Sequence, residues 1–600
     1  MQTTLLGLAI AIILALVSAI VAPLVIDWNH YRDPIEAEAS RLTGMTVRIN
    51  GSIDARLVPT PVITLRDVVT GAPAGADAAG AQPLLRAREI KLELALGALL
   101  RGKIEATDAH LIEPEMHVGL DRSGALTVPG LAPSFRPPAL SIARFSVENG
   151  RVVLTDAVSR ARLVLQKLWF DGEMASFAGP FSGRGATVVG DQLYGYRISG
   201  SPTRGGTQIR LGIDPSDVPL TAQFDGTLKF AQGVPSFDGA LAAARPVGAT
   251  LANGKRIVSV PWRAAGAIKI TPSAAKVTNL TFRYGPEERA LNFTASADVT
   301  LGDTPQLSGK LSAMGLDVDR ALAAPDVTDR PPLVMMRSFL PAFLAGAKLP
   351  MPAKIALRVD SLTLGGTTLE ALSGDLDFDQ RGWTLDNFQF HAPGLTQVNL
   401  SGRLIGAKQG SGAGQGLGAG EGFAFSGPAK LASADFETLL AWLDGRNGAR
   451  ASKEVRTFTA QGDVTLASDR IAVERLTAAL GEETVAGRLA YAWSRSDRPA
   501  RVDAELRAGA LDLDALSGFA KSALGGGFGL PQEATLALDI GTATFGGVRA
   551  QAVNAAVKLD AGKLQIDRLA IGDLAGAKLA LSGQIDALSS RPRGQITLDL

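Results

Sequence analysis

The sequence predicts a mainly β protein: an N-terminal transmembrane helix, then an elongated, curled antiparallel β-sheet with a few short helices. Three observations predict it. Leu5–Ile26 is apolar apart from Ser18. At 1.5 Å per residue it spans about 33 Å, enough for the hydrocarbon core of a bilayer. Most of the remaining chain alternates apolar and polar residues with period two, punctuated by Gly, Asn and Asp, as antiparallel strands and their turns require. Helical patterns are too few to cover so many one-sided strands.

The apolar run is longer than the hydrophobic stretch of a signal peptide, and no small-x-small cleavage site follows it, so it reads as a retained anchor. Pro23 is tolerable in a membrane helix. The leading MQTT carries no Lys or Arg, and only its shortness favours leaving it in the cytoplasm and exporting the rest. Asp33-Pro34 then predicts a short helix, with Asp33 as N-cap and Pro34 in the first turn. Ile35, Ala39 and Leu42 form its apolar stripe, and Gly44 ends it.

The exported part divides into segments 27–175, 176–330 and 331–600. In KIALRVDSLTLGG, Ile355, Leu357 and Val359 face one way while Lys354, Arg358 and Asp360 face the other. EIKLELAL, GDLDFD and RVDAEL behave alike. Helices are expected at Asp319–Ala324, Leu333–Leu349 with a kink near Pro341, Asp435–Gly445 and Ala515–Leu524. Gln409–Gly422 is a Gly-rich linker by composition. GKLSAMGLDVDRAL, GPAKLASADFETLL and VDAELRAGALDLDAL repeat a strand, an acidic motif and a helix start. WTLDNFQFHAPGLTQVNLSGRL and LQIDRLAIGDLAGAKLALSGQI repeat a strand, a turn and a returning strand. Stacked similar units predict a body that grows by adding strands. The final RGQITLDL resembles the opening strand of another such copy, so a longer natural chain is expected.

The composition removes several function classes. Sixty basic residues against 59 acidic ones leave no positive excess for nucleic acid. There is no cysteine, hence no disulfide, thiolate nucleophile or Cys-ligated metal. The four histidines, His30, His110, His117 and His391, lack zinc spacing, and in one unbroken strand His110 and His117 would face opposite sides. No Gly-Lys pair is followed by Ser or Thr, so there is no P-loop. Asp317, Asp319, Asp512 and Asp514 recur at strand-to-helix junctions, where N-capping accounts for them better than calcium or acid–base chemistry. No catalytic, cofactor-binding or metal-binding set is expected.

A resemblance adds to this. A helix ending in RLTG, then VRINGSIDARLVPTPVITLRDVV, resembles the start of AsmA-family proteins. EIKLELALGALLRGKIEATDAHLIEPEMHV and FSVENGRVVLTDA are similar to that family's next segments, and DSLTLGGTTLEALSGDLDFDQRGWTLDNFQF to the strand-rich half of larger members. Ser176–Pro261 carries none of these motifs, which leaves open whether the sheet continues there. The resemblance implies a protein anchored in the bacterial inner membrane through residues 5–26, with its bulk in the periplasm and a part in outer-membrane biogenesis. It also implies kinship with bridge-like lipid-transfer proteins, whose sheet curls into an apolar β-groove. Phospholipid acyl chains are then the expected partner, with Ile355, Leu357, Val359, Leu376 and Phe378 lining the groove. Two alternatives remain: an assembly or targeting factor that binds outer-membrane or other envelope proteins, and a purely structural stalk.

Overall fold

The computed structural model describes residues 26–599 apart from 44, 72–82, 100, 102–105, 128–141, 159, 175–179, 217–218, 247–259, 323–330, 337–339, 341–348, 350, 380, 407–422, 444, 446–456, 495–497, 515–530, 561 and 587–592. The apolar run up to residue 25, Gly44, the 409–422 linker, the 515–524 helix and the kink at Pro341 lie outside the described residues. Among the described residues no helix is long and apolar enough to cross a membrane. The chain forms two compact units, one made of residues 1–286 and 296–305, the other of residues 287–295 and 306–600.

The first unit opens with a 3-10 turn, Trp28–Tyr31, that runs directly into the helix Arg32–Thr43. Asp27, not Asp33, is the capping residue, accepting the Asn29 N–H at 3.1 Å. Asp33 falls inside the first helical turn, where it faces the positive end of the helix dipole. Ile35 and Ala39 pack with Trp28 on Val47, Ile49, Ile53, Leu65 and Val68. Glu36 and Ser40 accept the N–H groups of Ile49 and Val47 at 2.6 and 2.9 Å. The helix thus satisfies the outer edge of the first short strand.

Val47–Ile49 and Ile53–Arg56 both pair with Val62–Thr70, which pairs with Leu85–Leu94 and so on to Ala274–Tyr284. Pairing is unbroken through residues 181–245, within the stretch where the sequence carried no motif. In the second unit the succession runs from Gln306–Asp317 to Arg593–Asp599. Among the described residues, the strand pairs given above and in the second unit are antiparallel except at three places. Ala106–Leu120 lies parallel to Ile142–Asp156, Gln306–Asp317 to Ala353–Leu364, and Arg501–Asp512 to Glu533–Phe545. Each parallel pair is joined by a long connection, because a tight turn cannot return a chain in the same direction.

Many strands change phase once. Leu65 and Val68 are both buried although three residues apart, and Asp67 between them has φ 47°. In an unbroken strand such residues would face opposite sides. A left-handed residue makes a bulge that restores both to one face and bends the strand. Asn149, Lys167 and Asn279 do the same in the first unit, and Ala371, Asn387, Arg475 and Ala552 in the second. Glu113, with φ 49°, separates His110 from His117, so the two histidines share the polar face, against the expectation for an unbroken strand. There they approach Glu148 and Glu115, each at 3.4 Å.

Candidate functional site

The period-two pattern of the second unit becomes continuous rows once register is applied. Across successive strands Phe378 faces Trp383, Trp383 faces Leu404, Leu404 faces Phe425, and Phe425 faces Leu466. The row goes on through Ile471, Tyr491 and Val502. It continues past the parallel pair to Ala534, Leu559, Leu564 and Ile585. A neighbouring row holds Ile355, Leu376 and Leu385. These side chains form one apolar sheet face, because strands a fixed register apart present alternate residues to the same side.

All five residues singled out from the sequence sit on this face. Ile355 pairs with Leu376, Leu357 with Gly374, Val359 with Leu372, and Phe378 with Ala353. Val359 is buried at 1% exposure, whereas Ile355, Leu357, Leu376 and Phe378 are half-buried. The helix Phe436–Leu443 packs over neighbouring strand ends, burying Leu439 and Leu440 with Leu364 and Leu369. Trp442 donates from Nε1 to the Leu364 carbonyl at 2.9 Å, and Phe436 stacks on Phe458 at 4.1 Å. Asp435 caps this helix by accepting the Thr438 N–H at 3.2 Å, and Gly445, with φ 72°, ends it, as the sequence predicts. Of the Leu333–Leu349 segment, residues 332–336 are helical, and Leu340 packs beside Leu385, Leu404, Phe423 and Phe425.

The first unit has a face of the same kind. Leu111, Val147, Phe170, Gly185, Tyr196 and Ile213 stand in one row, followed by Ala222, Ala243, Ala264 and Phe282. Gly185 is required here, since a Cβ would lie 2.5 Å from the Tyr196 ring that covers it. Tyr196 donates to the Trp169 carbonyl at 3.2 Å, and burial pushes its phenol up to about 12.

The opposite faces are polar. In the second unit Arg358, Ser373, Gln389, Asn399 and Lys430 form a cross-strand row. Arg358, Asp360, Glu370, His391 and Gln397 border an open depression of about 500 Å³. In the first unit Arg197 pairs with Asp214 at 3.0 Å and Arg210 with Asp225 at 2.8 Å. Hydrogen bonds from Arg210 and Gln208 hold the Asp225 carboxyl below the ordinary carboxylate range.

The recurrent acidic residues divide into two roles. Asp317 caps the helix Val318–Leu322 through the Arg320 N–H at 2.8 Å, and Asp512 accepts the Asp514 N–H at 2.9 Å. Asp319 lies inside the helix Val318–Leu322 and not at its N-cap, which corrects the sequence expectation for it. Asp319 reaches the Gly365 and Gly366 N–H groups, and Asp514 the Gly546 N–H, in turns that follow the parallel partner strand. Among the described residues no three His, Asp or Glu side chains converge to hold a metal ion.

No curated protein and no solved structure matches the chain. The AsmA family model matches residues 2–193, about a third of the chain, and over that segment the chain is similar to AsmA-family proteins.

Proposed function

We propose that this protein carries phospholipid acyl chains along the apolar faces of its sheets, between the inner and outer membranes, and catalyses no reaction. The apolar run Leu5–Ile26 attaches it to the inner membrane, and the bulk of the chain lies in the periplasm. The observation that carries this reading is the unbroken row from Phe378 through Trp383, Leu404, Phe425, Leu466 and Ile471 to Tyr491. An apolar row that crosses strand after strand offers an acyl chain about 0.8 kcal/mol per covered methylene at every step. Because each step resembles the next, no position traps the chain, and movement along the row meets low barriers. The similarity of residues 2–193 to the AsmA family supports a place in the envelope.

Native mass spectrometry of the full-length protein extracted in mild detergent tests this. Phospholipid is expected to remain bound. Protein that retains no lipid, or that retains extended peptides in its place, would overturn the reading, the latter in favour of an assembly factor.

A further inference from the structure

The apolar row of the first unit ends beside a cation. Arg245 closes the strand Val234–Arg245, and register sets it opposite Trp262, which in turn faces Tyr284. One step inward on the same face lie Ala243, Ala264 and Phe282. The rings gather at this end: Trp262 to Phe282 is 6.0 Å, Phe282 to Tyr284 6.4 Å, and the Arg245 guanidinium carbon lies 5.8 Å from the Trp262 ring centre.

Arg245 has no carboxylate partner among the described residues, and its Nε is buried without a hydrogen-bond acceptor. Residues 246–261, which join its strand to the next, contain no Asp or Glu. An arginine nitrogen left without an acceptor in a buried place is unfavourable unless something else supplies one. The Trp262 ring offers its π face to the guanidinium but cannot accept five N–H bonds. Burial raises the Tyr284 phenol while the Arg245 charge pulls it back, so the two groups sense each other. An apolar row ending in Trp, Tyr and an Arg whose Nε has no acceptor has the composition of a boundary between hydrocarbon and head group.

We propose that Arg245, flanked by Trp262 and Tyr284, binds the phosphate of a phospholipid whose chains lie along Phe282, Ala264 and Ala243. This rests on the acyl-carrier reading and adds a head-group subsite to it. Arginine suits the task because its planar fork donates two hydrogen bonds to a phosphate at once.

The test places a photo-crosslinking residue at Ala264 in the full-length protein in detergent. It compares capture of phosphatidylglycerol with capture of diacylglycerol, which has the same chains and no phosphate. In the native Arg245 background phosphatidylglycerol is expected to be captured better. Arg245→Gln is expected to lower its capture roughly tenfold, the scale of one charge-assisted contact, and to leave diacylglycerol unchanged. Arg245→Lys, which keeps the charge, should recover part of the loss. Added inorganic phosphate at millimolar concentration should not compete, since it lacks the chains. Equal capture of phosphatidylglycerol with Arg245 and with Gln in its place would overturn the subsite while leaving the acyl carrier standing. Full competition by inorganic phosphate would make the site one for free phosphate. Capture of neither lipid would overturn both proposals.

Discussion

Asp319 holds the backbone of Gly365. The carboxylate accepts the Gly365 N–H at 2.7 Å and the adjacent Gly366 N–H at 2.6 Å, across 46 and 47 residues of chain. The contact ties the helix start after one strand to the turn after its parallel partner. Asp514 repeats it at Gly546 with a 2.6 Å bond. Replacing Asp319 removes a charge-assisted acceptor from two N–H groups, at a cost of about 2 kcal/mol. Asp317→Ala removes an N-cap and costs about 1 kcal/mol. Urea unfolding of the two variants is expected to rank them in that order. An Asp319→Ala variant no less stable than Asp317→Ala would show the turn contact to be idle.

Ala371 sits at φ 52° in the middle of the strand Thr367–Asp379, between buried Leu369 and Leu372. A left-handed conformation costs a residue with a Cβ about 1–2 kcal/mol. Ala371→Gly relieves that cost and is expected to raise stability by about 1 kcal/mol, even though glycine usually weakens a strand. Ala371→Val should lower it, because a β-branched side chain tolerates this conformation least. Denaturant midpoints of the two variants check the pair. A destabilised Gly variant would mean that the bulge is not what holds Leu369 and Leu372 on one face.

The strand content and the one-sided faces were legible in the sequence because alternation survives between bulges. KIALRV kept strict phase, and the structure puts its odd-numbered residues on one side. The bulges themselves were not legible as such. Leu65-Arg66-Asp67-Val68 and Leu385-Asp386-Asn387-Phe388 each carry two apolar residues three apart, a spacing that breaks period two without showing whether the strand ends or bulges there. That is why His110 and His117 were expected on opposite faces. The parallel pairs were hidden for another reason. A strand looks the same from within whichever way its neighbour runs, so only the long connections hinted at them. The Arg245 cluster joins residues from three strands and has no local signature at all.

Tyr196 offers a pH test of the first unit's apolar face. Its phenol is pushed up to about 12 by burial, against about 10 for an ordinary tyrosine. Because the folded value is the higher one, the stabilisation that goes with the neutral phenol is complete below about pH 10 and is lost as pH rises through about 12. Ultraviolet titration of the protein and of Tyr196→Phe should differ by one phenol that ionises near pH 12. A difference already complete by about pH 10.5 would mean that water reaches the ring.

Leu357 and Arg358 are chain neighbours on opposite faces. Leu357 is half-buried and faces Gly374, whose place on the row is overlaid by the Phe388 ring; a Cβ there would lie 2.8 Å from it. Arg358 is exposed and stands in the polar row with Ser373 and Gln389. A photo-crosslinker at position 357 is expected to capture lipid, and one at 358 is not. Leu357→Asp sets an unpaired carboxylate on the apolar row, where a charge is strongly disfavoured. It should therefore impair lipid passage more than Arg358→Asp, which faces water. A closed core would behave differently: Leu357→Asp would unfold the second unit, and no lipid would be captured at 355, 357, 359, 376 or 378. Circular dichroism of the variant separates the two outcomes, since a carrier that is blocked keeps its β spectrum. Equal capture at 357 and 358 would remove the alternating-face argument, because only residues on one side of the sheet can share one row.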